Sequence, residues 1–351
     1  MVLNSFNIAL FLLSLFSYGL IYKYKLVFNL FSDDDYKKPQ SFHQNPILRI
    51  GGAVIFLFTL IFLFFLEKTN FINSIIYLGS LFFIIGFIDD VKLSIKPEVR
   101  LFLMFCVSLA FIYFLNIKIF NTQFFFLNKL IDNYKIISFL LVCLSLLFIV
   151  NGSNLIDGFN GLLIIHFLLI IIILYFINQR ILTVELKEII TIIFLLCVSF
   201  LFFNFPKSKF FLGDGGAYFL GSTLSLIIIE ISNINKNIPP FFFACLLFYI
   251  FFEVFFSFLR KIINKNNPLK PDRKHLHMLL FIFLNNKIKL KKYSNYLIAL
   301  LINIYYLVAV SPLFFFYNNQ IFCKLYFFCL ISSYLSAYYI LNKEINNISL
   351  N

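Results

Sequence analysis

Residues 136–150 read IISFLLVCLSLLFIV and residues 161–177 read GLLIIHFLLIIIILYFI. Between them stands a polar break, Asn151-Gly152-Ser153-Asn154-Leu155-Ile156-Asp157-Gly158-Phe159-Asn160. Each flank approaches the roughly 20 apolar residues that one membrane-spanning helix needs. Irregular backbone at membrane depth is tolerated only where protein buries it or a wet cavity receives it. A tight helix–helix turn needs two or three such residues, so a break of this length points to a functional segment. Its glycines would let backbone approach a ligand closely.

Outward from this stretch the same alternation recurs. It gives eleven candidate helices, near 3–22, 49–66, 71–88, 98–116, 136–150, 161–177, 188–203, 216–232, 241–259, 294–316 and 322–341. Of the 351 residues, 61% are hydrophobic and 13% charged, against about 45–50% and about 25% in soluble domains. These values exclude a soluble globular protein. They also exclude a disordered chain, which needs low hydrophobicity and high charge. The expectation is an all-α polytopic integral membrane protein of about eleven transmembrane helices. The six Cys all lie in apolar runs without a C-x-x-C pair, and read as packing residues rather than metal ligands or disulfides.

Charge sets the expected sidedness. Segments 23–49, 89–100, 205–216, 260–293 and 342–351 hold 21 of the 29 Lys and Arg, and the intervening loops hold 8. An excess of Lys and Arg marks cytoplasmic loops, which places the N-terminus in the periplasm and the C-terminus in the cytoplasm. The first run has no basic residue before it and Lys23 and Lys25 after it. That is the reverse of a signal peptide, so this helix is expected to be retained. Eight of the nine Asp fall on the same face as the basic loops, with Asp132 alone opposite. The net charge of +13 is then read as loops held against an anionic leaflet, with no nucleic-acid partner.

Five segments on that face carry candidate chemistry. Asp89 and Asp90 end the third run, with Lys92 as a possible counter-ion. Adjacent carboxylates repel and suit phosphate handling, as a proton acceptor or through a metal. The second is the break holding Asn154 and Asp157. In the third, Gly213-Asp214-Gly215-Gly216 opens the eighth run; backbone N–H groups there would face a phosphate, with Asp214 on Mg²⁺. The fourth, Lys270-Pro271-Asp272-Arg273-Lys274-His275-Leu276-His277, is the most basic. Its two His share a face only if the segment is extended, so Arg, Lys and His donors for phosphate and sugar oxygens are the better reading. The fifth leads into the second run and holds His43 and Arg49. His166 reads as a satisfied core residue. Glu253, seven residues before Arg260, is a functional candidate or half of an internal ion pair.

In chain order these segments, from about His43 to His277, resemble the polyprenyl-phosphate N-acetylhexosamine-1-phosphate transferases, glycosyltransferase family 4. The P-D-R-K-H-L-H string resembles the enzymes that initiate O-antigen and teichoic acid. It departs from the consecutive-His pattern of phospho-N-acetylmuramoyl-pentapeptide transferase, which stays the alternative. The resemblance implies one transmembrane catalytic domain over residues 1–351. Asp89, Asp90 and Asp157 would be catalytic, the Asp pair handling the lipid phosphate. Asp214 would hold Mg²⁺, with Mn²⁺ as a substitute. Asn154, Arg273, His275 and His277 would bind substrate, joined by His43 and Arg49. The implied partners are undecaprenyl phosphate, a UDP-N-acetylhexosamine, the lipid bilayer of the bacterial inner membrane and a second copy in a homodimer. The implied reaction releases UMP at the cytoplasmic face.

Two departures stand out. Glu253 falls where relatives often carry Asp, and Asn160 falls where many carry a second Asp, which removes any base role there. A secondary transporter is the rival from another class, but transporters place polar residues near the bilayer midplane, commonly within inverted repeats. Here the polar motifs sit at helix ends, with no obvious repeat.

Overall fold

The computed structural model describes residues 3–25, 31–33, 47–93, 95–115, 122–270, 272–288 and 294–350. In chain order the helices are α1 (Ser5–Lys23), α2 (Gly51–Phe64), α3 (Asn70–Asp90, with a π-helical turn at Ile75–Gly79), α4 (Pro97–Leu115), α5 (Phe125–Asn133), α6 (Lys135–Ile156), α7 (Leu162–Asn178) and α8 (Val184–Asn204). They continue as α9 (Gly213–Ile234), α10 (Pro240–Leu246), α11 (Phe248–Ile263), α12 (Leu276–Ile288), α13 (Ser294–Val310), α14 (Leu313–Phe316) and α15 (Gln320–Leu350). Two short strands, β1 (Ser32–Asp33) and β2 (Ile47–Leu48), pair antiparallel.

The ends follow local chemistry. Asn4 accepts the Asn7 N–H (2.8 Å) to start α1, and Thr183 accepts the Leu186 N–H (3.2 Å) to start α8, the usual side-chain service to orphan N–H groups. Pro opens α4 and α10, where its missing N–H costs nothing. Seven helices among the described residues are long and apolar enough to cross a membrane, or eight with α10 and α11 as one bent span. Three apolar helices are shorter: Gly51–Phe64, Leu162–Asn178 and Leu276–Asn286. The surface is inside-out relative to a soluble protein. Phe16, Phe64, Phe65 and Phe315 face outward, while Ser14 and Ser199 are buried and hydrogen-bonded to each other (2.9 Å). The chain is a multi-pass membrane protein.

Two expectations need correction. The break after residue 150 is largely helical, because α6 continues to Ile156. Its polar side chains turn back on their own helix: the Asn151 amide donates to the Leu147 carbonyl (2.8 Å) and the Ser153 hydroxyl to that of Ile149 (2.9 Å). Gly152 does serve a close approach, but to protein: a Cβ there would lie 2.3 Å from the Ile250 carbonyl of α11. Irregular backbone is confined to 157–161. The run at 241–259 is likewise not one straight helix. It bends by 77° between α10 and α11, and the Tyr306 hydroxyl donates to the Leu246 carbonyl at the bend (2.9 Å). α5 and α12 lie outside the eleven runs.

Candidate active site at the aspartate-bearing helix ends

The site is built where α3 and α6 end and where α4 and α9 begin. Asp90, the last residue of α3, is buried, and its two carboxylate oxygens accept the N–H groups of Asp214 (2.9 Å) and Gly215 (2.9 Å). A side chain from one helix thus caps another and meets its positive dipole end. This corrects the expectation that those N–H groups face a phosphate: Asp90 already takes them. Gly213 makes the contact possible. Its φ is +83°, and a Cβ would lie 2.6 Å from Asp90 Oδ2.

Asp89 faces the other way. Its Oδ1 accepts the Ile95 N–H (2.9 Å), and its Oδ2 is paired with Arg100. The same guanidinium nitrogen donates to Asp214 Oδ2 (3.0 Å). The cation that joins the two aspartate motifs is therefore Arg100, a residue the sequence did not single out. Arg100 lies in the first turn of an apolar helix eleven residues after Asp89, and that isolation was the only signal available. Its guanidinium also lies over the Tyr218 ring (5.7 Å to the centroid), and the Tyr218 hydroxyl accepts from the Asn154 amide (2.9 Å). Asn154 is thereby tied into the same cluster.

Asp157 follows the last residue of α6. Burial pushes its carboxyl well above the ordinary range, the negative charges of Asp214 and Asp90 push it further, and Arg49 opposes them. Those four side chains thus share one electrostatic neighbourhood. Arg49 is placed by backbone pairing. Its N–H donates to the Phe31 carbonyl (2.9 Å), the Leu48 carbonyl accepts the Phe211 N–H (2.9 Å), and the Phe211 carbonyl accepts the Gly51 N–H (3.0 Å). The start of α2 is stitched to the segment before Asp214. His43 lies outside the described residues.

Asn160 has a structural explanation. Its amide donates to the Pro206 carbonyl (3.0 Å), and its N–H donates to Asn295 Oδ1 (2.8 Å). The next N–H, of Gly161, donates to Asn204 Oδ1 (2.6 Å), and the Asn204 amide donates to the Phe210 carbonyl (2.9 Å). These bonds tie the Asp157 turn to the segment that precedes Asp214. An ionised Asp at 160 could only accept and could not hold Pro206.

The basic loop forms a second cluster, centred on Glu253. His275 Nδ1 is 3.1 Å from Glu253 Oε2, its Nε2 is 3.5 Å from Asp272 Oδ1, and both His rings are buried. Glu253 does not pair with Arg260, as one reading of their spacing suggested. Arg260 instead binds Asp272 (2.7 Å), which leaves Glu253 to the histidines. Lys261 is not simple surface charge either: its ammonium donates to the Pro268 (3.1 Å) and Lys270 (2.7 Å) carbonyls and clasps the loop. Burial alone would raise the Asp272 carboxyl, but Arg260, His275, the Lys274 N–H and Lys261 outweigh it and hold it below the ordinary range. The two clusters meet where Phe159 packs edge-on against the His277 ring (5.6 Å). His166 is a core residue, 3.1 Å from Asn303 Oδ1 and beside the rings of Tyr249 and Tyr306.

No three or more His, Cys, Asp or Glu side chains among the described residues form a metal cage. Mg²⁺ seldom uses one, taking one or two carboxylates and completing its shell with water and phosphate oxygens. Asp157 accepts no hydrogen bond among the described residues, and only Oδ2 of Asp214 is engaged by Arg100. Two such carboxylates fit a divalent ion shared with a substrate's phosphates.

The chain is similar to known proteins over the part that holds this cluster. The family model described as glycosyl transferase family 4 matches residues 72–232, a segment that holds Asp89, Asp90, Arg100, Asn154, Asp157 and Asp214. The chain is 28% identical over 240 residues to the undecaprenyl-phosphate alpha-N-acetylglucosaminyl 1-phosphate transferase of Thermotoga maritima, covering 67% of this chain and 68% of that protein. It is 25% identical over 251 residues to the probable undecaprenyl-phosphate N-acetylglucosaminyl 1-phosphate transferase of Bacillus subtilis, covering 69% and 67%. It is 32% identical over 210 residues to the phospho-N-acetylmuramoyl-pentapeptide-transferase of Dictyoglomus turgidum, covering 56% and 63%. The matches thus span about two thirds of the length of these relatives. Residues 72–232, the part of the chain that holds the aspartate-bearing helix ends, are thus similar to glycosyl transferase family 4.

Proposed function

We propose that this protein transfers an N-acetylhexosamine-1-phosphate from a UDP-sugar to undecaprenyl phosphate and releases UMP. The step would begin an envelope polysaccharide such as O-antigen, at the cytoplasmic face of the bacterial inner membrane. The observation that carries the reading is Arg100 bridging Asp89 and Asp214, with Asp157 in the same neighbourhood. A cationic guanidinium among carboxylates, at helix ends rather than mid-span, suits reactants that are both phosphate anions. The relatives named above support the substrate class.

An oxygen of the lipid phosphate attacks the phosphorus that bears the sugar. A new P–O–P bond forms, the existing P–O–P bond breaks, and its bridging oxygen leaves with UMP. The second ionisation of a phosphate monoester lies near pH 6, so the nucleophile needs little help from a base. The protein's task is charge and alignment. Asp89 orients Arg100 toward the phosphates, and Asp90 fixes the start of α9 so that Asp214 is presented rigidly. Arg49 and Arg273 add positive charge that draws in both substrates. Asp157 and Asp214 would hold Mg²⁺, which when bound neutralises the diphosphate and stabilises the leaving UMP.

The test uses purified protein in detergent with undecaprenyl phosphate, Mg²⁺ and a panel of UDP-N-acetylhexosamines. UMP release that requires both lipid and Mg²⁺ is expected, and the best donor identifies the sugar. Folded protein that binds UDP but releases no UMP with any donor would refute the proposal.

A further inference from the structure

Glu253 lies in α11, six residues past the bend, and is 1% exposed. A buried carboxylate is costly unless it is paired and hydrogen-bonded. Here Oε1 accepts the Leu276 N–H (3.0 Å) and Oε2 faces His275 Nδ1 (3.1 Å). The first contact satisfies an orphan donor at the start of α12. The second decides a tautomer: an ionised carboxylate only accepts, so His275 Nδ1 carries the hydrogen. The His277 ring stacks parallel to that of His275, at 5.6 Å and 6°. Its Nδ1 is 3.1 Å from the Tyr249 hydroxyl and 3.8 Å from Glu253 Oε1. Its Nε2 is buried without a hydrogen-bond partner among the described residues, a costly state unless a ligand supplies the partner. The ring lies against Phe159, two residues from Asp157.

We infer that Glu253 is the positioning residue of the basic loop: it keeps His275 in the Nδ1–H form and sets His277 against the Asp157 turn, where His277 Nε2 meets an oxygen of the bound sugar phosphate. The activity part of this inference rests on the transferase reading; the tautomer part does not. Arg260 on Asp272 and Lys261 on the Pro268 and Lys270 carbonyls hold the loop without Glu253. Removing the carboxylate therefore tests orientation rather than attachment.

The experiment is ¹⁵N NMR of ¹⁵N-His-labelled full-length protein in detergent, a spectrum of four His, combined with UMP-release kinetics. Wild-type His275 is expected as the Nδ1–H tautomer. In Glu253→Gln an amide NH₂ faces either Leu276 N–H or His275 Nδ1. The second arrangement is relieved when His275 switches to the Nε2–H form, which the spectrum reports. With the melting temperature unchanged, kcat/KM for the UDP-sugar falls roughly ten- to hundredfold, the scale for losing an outer carboxylate partner of a functional His. Glu253→Asp restores tautomer and rate. Wild-type His275 in the Nε2–H form, or a Glu253→Gln enzyme with wild-type kcat/KM, overturns the inference. If Glu253→Gln does not fold, the wild-type spectrum alone decides. If the wild type turns over no UDP-sugar, the transferase reading fails while the spectrum still decides the role of Glu253.

Discussion

At the scale of single residues, Arg100 and Asn160 carry most of the new information. Arg100 holds two carboxylates, each only partly exposed, that repel each other without it. Arg100→Gln is expected to cost about 1–3 kcal/mol, between the values for exposed and buried ion pairs. Added Mg²⁺ should recover part of that loss, because a divalent ion on Asp157 and Asp214 would compensate one of the two carboxylates that Arg100 leaves. Thermal unfolding in detergent with and without Mg²⁺ checks this, and a deficit indifferent to Mg²⁺ would argue against a cation site there. Asp214→Asn is expected to fold and to lose turnover by at least about 10²-fold; an active variant would remove Asp214 from the proposed metal site. For Asn160→Asp, the carboxylate would face the Pro206 carbonyl, acceptor against acceptor. A loss of about 1–3 kcal/mol is expected, and a melting temperature equal to wild type would count against the strap. The Asp motifs were legible because Asp is rare in an apolar chain. Arg100 and Tyr218 were not, since nothing local tells an arginine at a helix start that it will meet two other helices.

At the scale of elements, α9 starts where it does because Asp90 caps it and Gly213 bends into it. Gly213→Ala would combine a left-handed conformation, about 1–2 kcal/mol for a non-glycine residue, with a Cβ inside contact distance of Asp90. Circular dichroism and melting should show a folded but weakened protein with reduced turnover. Full wild-type stability would mean that the cap is dispensable. The start of α12 offers a pH-dependent counterpart. Asp272 is held below the ordinary carboxylate range, so it stabilises the fold above its unfolded pKa of about 3.9 and loses that contribution as pH falls through its lower folded value. Asp272→Asn should therefore melt earlier than wild type at neutral pH, with the gap closing in acid. A gap independent of pH would show that charge is not the cause. Helix positions other than those of α5 and α12 were readable from apolar runs. The bend at Leu247 and the helical course of Asn151–Ile156 were not, because they depend on Tyr306 and Gly152 meeting distant carbonyls.

At the scale of the whole molecule, a bundle with phenylalanine outside and paired serines inside collects its charged chemistry at one set of helix ends. Under the proposed function, a lipid phosphate would be presented at these helix ends while its chain stays in hydrocarbon. The topological reading by charge and the chemical reading by motif agree on the same loops because both follow the cost of ions in lipid. The central claim is that a P–O–P bond is broken and the sugar keeps its phosphate. The most direct measurement supplies UDP-sugar labelled with ³²P on the sugar-bearing phosphate, together with undecaprenyl phosphate, to the purified protein. The account predicts label in the lipid fraction and unlabelled UMP in the aqueous one. Label that stays with the nucleotide as UDP, with sugar alone moving to lipid, would contradict it.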